Sequence, residues 1–405
     1  MKTFQLTFIL LLTFIAGNAQ QLQEYIAQAL VNNPNIKAYE VRYNLAEEMV
    51  NEAAWLPNTE ISVGYFASEP ETRTGAQRAR FSARQMLPWF GTVGTRQEYA
   101  SSRAASDYMD YIIARRKLGL QVAQSYYDLN SNQARQKVLE ENLRLLESYE
   151  DLALNAVEVG KASAVDVLRL QIRQNELHQQ KDILEQQFKA AQSKFNALLN
   201  REGSATVQLF PEIYIPETDP VIADSLQLNP ELLKFDRLYE SVVQSELVNQ
   251  KERAPMLGLG LDYVPVQERP DLVFSDNGKD IVMPMVSLSI PVFNPRYDSR
   301  TKQNELRKQE IQYQKQERLN MLDATLENAL SQRNEARIAY NTQLKNIKQA
   351  KDAEQILIKS YETGTIDFKE VLDIQEMQLK FQMNQIQSVQ KYFTQSAIIN
   401  YLIKM

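Results

Sequence analysis

Met86-Leu87-Pro88-Trp89-Phe90 ends one apolar, alternating stretch, and Ser289-Ile290-Pro291-Val292-Phe293 ends another. The correspondence extends in both directions. Upstream, Asn32-Asn33-Pro34-Asn35 and Leu228-Asn229-Pro230-Glu231 each open an amphipathic segment, which closes at Leu56-Pro57 and Ala254-Pro255. Downstream, Val159-Gly160-Lys161 corresponds to Thr363-Gly364-Thr365. The order of landmarks is kept, and their spacing drifts only from 196 residues (230 − 34) to 204 (364 − 160). Most of the drift falls around Asp271 to Asp280. A chain that writes one unit twice is read first as a repeat.

Within each unit a helix (about 35–55, then about 231–253) precedes two strand-like stretches. In Glu60 to Phe66, Ile61, Val63 and Tyr65 alternate with Glu60, Ser62 and Gly64. Phe81, Ala83 and Leu87 alternate with Arg80, Ser82 and Arg84. In the second unit Leu257, Leu259, Leu261 and Tyr263 alternate with Gly258, Gly260 and Asp262, and Val286, Leu288 and Ile290 with Ser287 and Ser289. Alternation with period 2 gives each strand one apolar and one polar face. It fits a membrane β-barrel strand, and by pattern alone it fits equally a soluble hairpin with one face on a core.

A very long helix follows each strand pair, from about Thr95 to Glu158 and from about Ser299 to Glu362. At 1.5 Å per residue the first is roughly 95 Å long, far beyond an ordinary globular helix. Leu118, Val122, Tyr126 and Leu129 step by fours and threes, as do Leu139, Leu143 and Leu146. After each Gly a helix returns. Leu184, Phe188, Ala191, Phe195 and Leu198 form a heptad seam on the first. The expected organisation is a first repeat over 20–200 (β-hairpin about 58–88, helical hairpin about 95–200), a linker over 201–224, and a second repeat over 225–405 (β-hairpin about 256–291, helical hairpin about 299–405).

Bulk composition narrows the function classes. The chain has 405 residues and a net charge of −6, an acidity that argues against a nucleic-acid partner. With no Cys, disulfides, thiolate catalysis and Cys-ligated metals are excluded. The single His, His178, sits in a polar Gln-rich helix and reads as solvated. Met283 and Met285 are soft-metal ligands by type but lie in a β-stretch, where packing explains them. No metal site, cofactor, phosphate loop or paired acid and base is expected, and the chain is not read as an enzyme. Lys2, the apolar run Leu6 to Ala16 and Gly17-Asn18-Ala19 make residues 1–19 a signal peptide. No other stretch could span a bilayer as a helix, so membrane insertion requires strands. Four strands cannot close a barrel with any interior width. Several copies must pool them, and three would give twelve.

The Asn-Pro helix, the hairpin ending Leu-Pro-Trp-Phe-Gly, the long helix, Val159 to Leu168 and the second copy together resemble the TolC family of outer-membrane efflux proteins. The resemblance covers essentially the whole chain after residue 19. It implies a mainly α fold with transmembrane β: a homotrimer whose 12-stranded β-barrel, four strands per chain, continues as a long periplasmic α-helical barrel. It implies an outer-membrane location in a Gram-negative bacterium, contact with outer-membrane lipid, and a periplasmic adaptor joining the duct to an inner-membrane pump. The cargo it implies is drug or heavy metal with an RND-type pump. The Leu-Pro-Trp-Phe-Gly stretch resembles members paired with heavy-metal pumps. Alternatives are a type I protein secretion duct and a secreted coiled-coil scaffold without a pore.

By the same resemblance the adaptor-docking tips are Val159, Gly160, Lys161, Thr363, Gly364 and Thr365. The paired acids of the periplasmic gate fall on Glu370 and Asp373, one helical turn apart on one face. Its latch falls on Tyr361 and Asp166. The family's basic latch residue corresponds to Ile366, with Lys369 as the nearest substitute. Read without the family, the Gly turns are plain reversals between helices and the acids are solvated. Trp89, Phe90 and Phe293 suit either an interfacial girdle or packing where strands meet helices.

Overall fold

The structure, a computed structural model, describes residues 21–160, 163–210, 213–219, 226–271 and 273–403. The expected signal peptide and parts of the 201–224 linker lie outside them. The chain forms two compact units, each taking segments from both halves of the sequence. One comprises residues up to Tyr39, Tyr111–Pro230 and Leu319 onward; the other comprises Glu40–Asp110 and Glu231–Arg318.

The helices are α1 (21–32), α2 (Pro34–Glu52), α3 (Thr92–Glu158), α4 (Ala164–Leu198), α5 (Pro230–Glu252), α6 (Arg296–Glu362) and α7 (Phe368–Ile403). Helices α3 and α6 are each 67 residues long, about 100 Å at the standard rise. Both begin three residues before the position expected from sequence. Helix α1, ahead of the Asn-Pro landmark, was not expected.

The first unit is held by two apolar clusters. One joins Leu22, Ala29 and Ile36 of α1 and α2 to Leu118, Val122, Tyr126 and Leu129 of α3 and to Phe195 of α4. The other joins Leu139, Leu143, Leu146 and Tyr149 of α3 to Leu170 and Leu177 of α4, Tyr361 of α6, and Phe368 and Val371 of α7. Each fully buried Leu or Phe contributes roughly 1.5–3 kcal/mol. The stepped positions read from sequence are therefore the ones that hold these helices together. Of the α4 seam, Phe195 is buried, while Leu184, Phe188, Ala191 and Leu198 pack on the clusters from their edges.

The two Asn-Pro landmarks do the same physical job. Asn33 Oδ1 accepts a hydrogen bond from the Asn35 amide at 2.9 Å, capping α2 with Pro34 at its first position. Its Nδ2 donates to the Leu198 carbonyl at the end of α4, at 2.8 Å. Asn229, just before α5, donates from Nδ2 to the Leu402 carbonyl near the end of α7, also at 2.8 Å. Each Asn thus ties a new helix to the last turn of a returning one and satisfies a carbonyl the helix end would leave free.

The linker is anchored by charge. Asp219 pairs with Arg337 and with Arg333 at 3.4 Å, and accepts a hydrogen bond from the Tyr392 hydroxyl at 2.6 Å. Burial opposes its ionisation, yet the Tyr392 and Arg337 hydrogen bonds and the Arg333 charge hold its carboxyl below the usual carboxylate range. A depressed folded-state pKa stabilises above the unfolded value near 4 and stops doing so as pH falls through the folded value. Asp219→Asn should therefore lower stability at pH 7 by about 1–2 kcal/mol. This is less than the roughly 3–5 of a fully buried pair, because a quarter of the side chain is exposed. Thermal unfolding at pH 7 and pH 3 checks this: the gap between wild type and variant should close at the lower pH.

In the second unit, β1 (Glu60–Tyr65), β4 (Ala79–Leu87), β5 (Met256–Val264) and β6 (Ile281–Ser289) form an antiparallel sheet in that order. A small unexpected hairpin, β2 (Glu71–Thr72) with β3 (Gly75–Ala76), decorates the loop between β1 and β4. The register lines up Val63, Phe81, Tyr263 and Val282 in one row and Ile61, Ala83, Leu261 and Pro284 in another. One face of the sheet is thus apolar from edge to edge, and it is exposed: Ile61 at 79%, Val286 at 75% and Val63 at 66%. The opposite face carries Ser62, Arg80, Ser82, Arg84, Gly258, Gly260 and Asp262, and Arg80 pairs with the fully buried Asp262. The edge strands β1 and β6 have no further partner among the described residues. Where β4 and β6 end and β5 begins, the exposed side chains are Trp55, Leu56, Trp89, Phe90, Ile290, Val292 and Phe293.

Candidate aperture and docking tips

The two helical reversals of the first unit are built alike. Gly160 has φ +73° and Gly364 φ +75°, the left-handed region that a side chain disfavours. Each amide reaches back three residues, Gly160 to Val157 O at 3.0 Å and Gly364 to Tyr361 O at 2.8 Å. After the first turn, Ser163 caps α4 by accepting from the Val165 amide at 3.2 Å. At the second turn, the hydroxyls of Thr363 and Thr365 both donate to Ser360 O, at 2.9 and 2.7 Å, and tie off the last turn of α6. Val159 is 68% exposed, and Thr363, Gly364 and Thr365 are also on the surface. Lys161 lies outside the described residues.

Just inside the turns an aromatic plug fixes the helix ends. Phe368, the first residue of α7, is fully buried. Its ring meets Tyr361 edge-on at 4.9 Å and Tyr149 at 5.9 Å. Asp166, in the first turn of α4, lies 3.6 Å from Arg169. Tyr361 is buried and its hydroxyl has no hydrogen-bond partner among the described residues. Burial, with a contribution from the negative charge of Asp166, pushes its pKa up. The structure thus brings Tyr361 and Asp166 into electrostatic reach without joining them. Ile366 packs against the apolar cluster, so the position of the family's basic latch residue is given over to the core, and Lys369 is exposed.

Glu370 and Asp373 are both exposed on α7, on the face away from Phe368, Val371 and Gln375. Neither forms an ion pair among the described residues. Two carboxylates one turn apart, both in water, can collect cations if other negative charges are brought opposite them.

Sequence reading missed a buried polar seam beside these acids. Gln375 Nε2 donates to Asn142 Oδ1 at 2.8 Å, and Gln382 Oε1 accepts from Asn142 Nδ2 at 3.1 Å. Gln378 Nε2 donates to Glu354 at 2.8 Å and to the Ala350 carbonyl at 3.1 Å, and Glu354 accepts from the Tyr149 hydroxyl. Burial, with the Glu354 carboxylate beside it, pushes the Tyr149 pKa well up and keeps the phenol protonated. The available signal was Gln375 and Gln378 in the same three-and-four stepping as Phe368, Val371 and Leu379. Polar residues at such seam positions set register more than they stabilise.

Residues 25–201 match the family model described as outer membrane efflux protein. No curated protein matches the chain by sequence. Among solved structures, the chain is similar to CusC, studied for conformational changes accompanying folding and transmembrane channel formation, with TM-score 0.76 and 15% identity over 95% of this chain and 92% of that one. It is similar to the outer membrane protein VceC of Vibrio cholerae, TM-score 0.74 and 16% identity over 95% and 96%. It is also similar to the CmeC outer membrane channel of Campylobacter jejuni, TM-score 0.74 and 15% identity over 94% and 85%. At such identities the likeness is one of fold.

Proposed function

We propose that the chain, whose residues 25–201 match the model of the outer membrane efflux protein family, is one subunit of a homotrimeric outer-membrane duct serving a tripartite efflux pump. The observation that carries this reading is the four-stranded sheet, exposed and, Gln85 apart, apolar on one face, and open at both edges among the described residues. An apolar face of that extent is lipid-facing or an interface. Open edges cannot stand in hydrocarbon with their amides and carbonyls free. Three copies pairing β1 with β6 of a neighbour remove both edges and give twelve strands, an even antiparallel number. The polar face with Ser62, Arg80, Arg84 and Asp262 then lines the lumen.

The described helices contain none long and apolar enough to cross a membrane. In this reading they continue the duct into the periplasm. The tips around Val159, Gly160, Lys161, Thr363, Gly364 and Thr365 dock a periplasmic adaptor. Glu370 and Asp373, repeated by threefold symmetry, ring the aperture, with Tyr361 and Asp166 beside it. An RND-type inner-membrane pump supplies the energy and selects the cargo, a drug or a heavy metal. The duct itself catalyses no reaction. Reconstitution in planar bilayers tests the reading: discrete single-channel currents and detergent-dependent solubility are expected. A soluble protein that conducts nothing would overturn it.

A further inference from the structure

A cavity of about 260 Å³ opens where strands give way to helices in the second unit. Leu56, Leu87, Trp89, Phe90, Val93 and Leu257 line it, with Gly91 and Gly94. Leu87 and Leu257 are register partners in the apolar row that Leu288 completes. The cavity therefore continues the exposed apolar face. It lies under the two central strands, β4 and β5, away from the edges β1 and β6 where another copy would pair.

Its rim is basic. Arg96 is held by Glu252 at 3.1 Å and lies over the Trp55 ring at 4.8 Å. Arg300 also reaches Glu252, at 3.5 Å, and Arg253 reaches Asp298 at 3.1 Å. Lys251, in the last turn of α5, forms no ion pair among the described residues. Its ammonium lies 3.5 Å from where a Cβ on Gly91 would stand, at the cavity wall. An apolar slot with a free cation at its mouth is complementary to an acyl chain bearing an anionic head. Aromatic residues at the end of a lipid-facing sheet sit at headgroup depth.

We propose that this cavity is a binding site for one anionic phospholipid, its chain against Leu87 and Leu257 and its phosphate on Lys251. The inference rests on the membrane reading above. Since the chain has two Trp residues, Trp55 and Trp89, Trp55→Phe leaves Trp89 in the cavity wall as the only tryptophan reporter. This full-length variant is reconstituted in phosphatidylcholine vesicles containing brominated phosphatidylglycerol or, in parallel, brominated phosphatidylcholine.

Brominated phosphatidylglycerol should quench Trp89 saturably at a low mole fraction, and brominated phosphatidylcholine only in proportion to its abundance. Lys251→Gln should reduce the preference roughly fivefold, the factor corresponding to about 1 kcal/mol for one basic residue at an anionic surface. Gly94 lines the cavity, and a Cβ there meets nothing within 4 Å. Gly94→Leu therefore starts a bulky apolar side chain from open space at the cavity wall, places a better helix former in α3, and should abolish the saturable component. Equal quenching by the two lipids, or a preference that survives both substitutions, overturns the site while leaving the membrane reading intact. No quenching by either lipid overturns both.

Discussion

Leu261→Arg should prevent assembly of the membrane-inserted channel. Leu261 stands mid-strand in β5, between Ala83 and Pro284 on the exposed apolar face. An arginine on a lipid-facing barrel position costs about 2–4 kcal/mol near the bilayer midplane. Each copy in an oligomer bears that cost again. Whole-domain stabilities are only of order 5–15 kcal/mol, so the repeated penalty consumes much of the margin. Ser62→Asp on the opposite face is the matched control. It puts a charge beside Arg80 and Arg84, in the rows flanking Ser62↔Ser82, and should assemble normally while shifting ion selectivity. Gel mobility of the unheated oligomer and the yield of conducting channels read both outcomes. Normal assembly of Leu261→Arg would mean that this face does not meet lipid.

The second large effect is expected at the aperture. Glu370 and Asp373 are exposed, without an ion pair among the described residues, and one turn apart at the start of α7. In a single copy they have no strong field. Assembled around a narrow axis, like charges gather and hold cations, and a divalent ion lodged there obstructs the path. The double variant Glu370→Ala with Asp373→Ala should raise single-channel conductance. It should also weaken block by a divalent cation by about tenfold or more, because losing two carboxylates per copy exceeds the 1.4 kcal/mol that a factor of ten represents. Titration of the blocking ion against current measures it. Unchanged currents and unchanged block would remove both residues from the pore.

The sequence was most informative where a single period governs many residues. Strand β5 and the cores of α3 and α4 were legible because alternation or three-and-four stepping runs unbroken through them, and β4 because its alternation is interrupted only at Gln85-Met86. Contacts between distant segments were hidden. Asn33 and Asn229 stood out as landmarks, but their bonds to Leu198 and Leu402 join residues 165 and 173 positions apart, which no local pattern records. The seam of Asn142, Gln375 and Gln378 was hidden for another reason. A glutamine on a heptad face reads as a solvated interruption until its partner is seen to occupy the same layer. At the candidate gate, spacing placed Glu370 and Asp373 on one face of α7, where the structure has them exposed. Spacing did not reveal that Ile366 is committed to the apolar cluster or that the Tyr361 hydroxyl lacks a partner among the described residues.

The open edges of the sheet also bear on biogenesis. In the duct reading, a lone copy would expose the outer edges of β1 and β6, which have no partner among the described residues, together with an apolar face, an aggregation hazard until other copies pair with it. Closing the proposed ring would require successive encounters between copies. The rate at which finished channels accumulate should therefore rise more steeply than linearly with the rate of secretion. A cell could then tune its number of exits sharply through modest changes in synthesis.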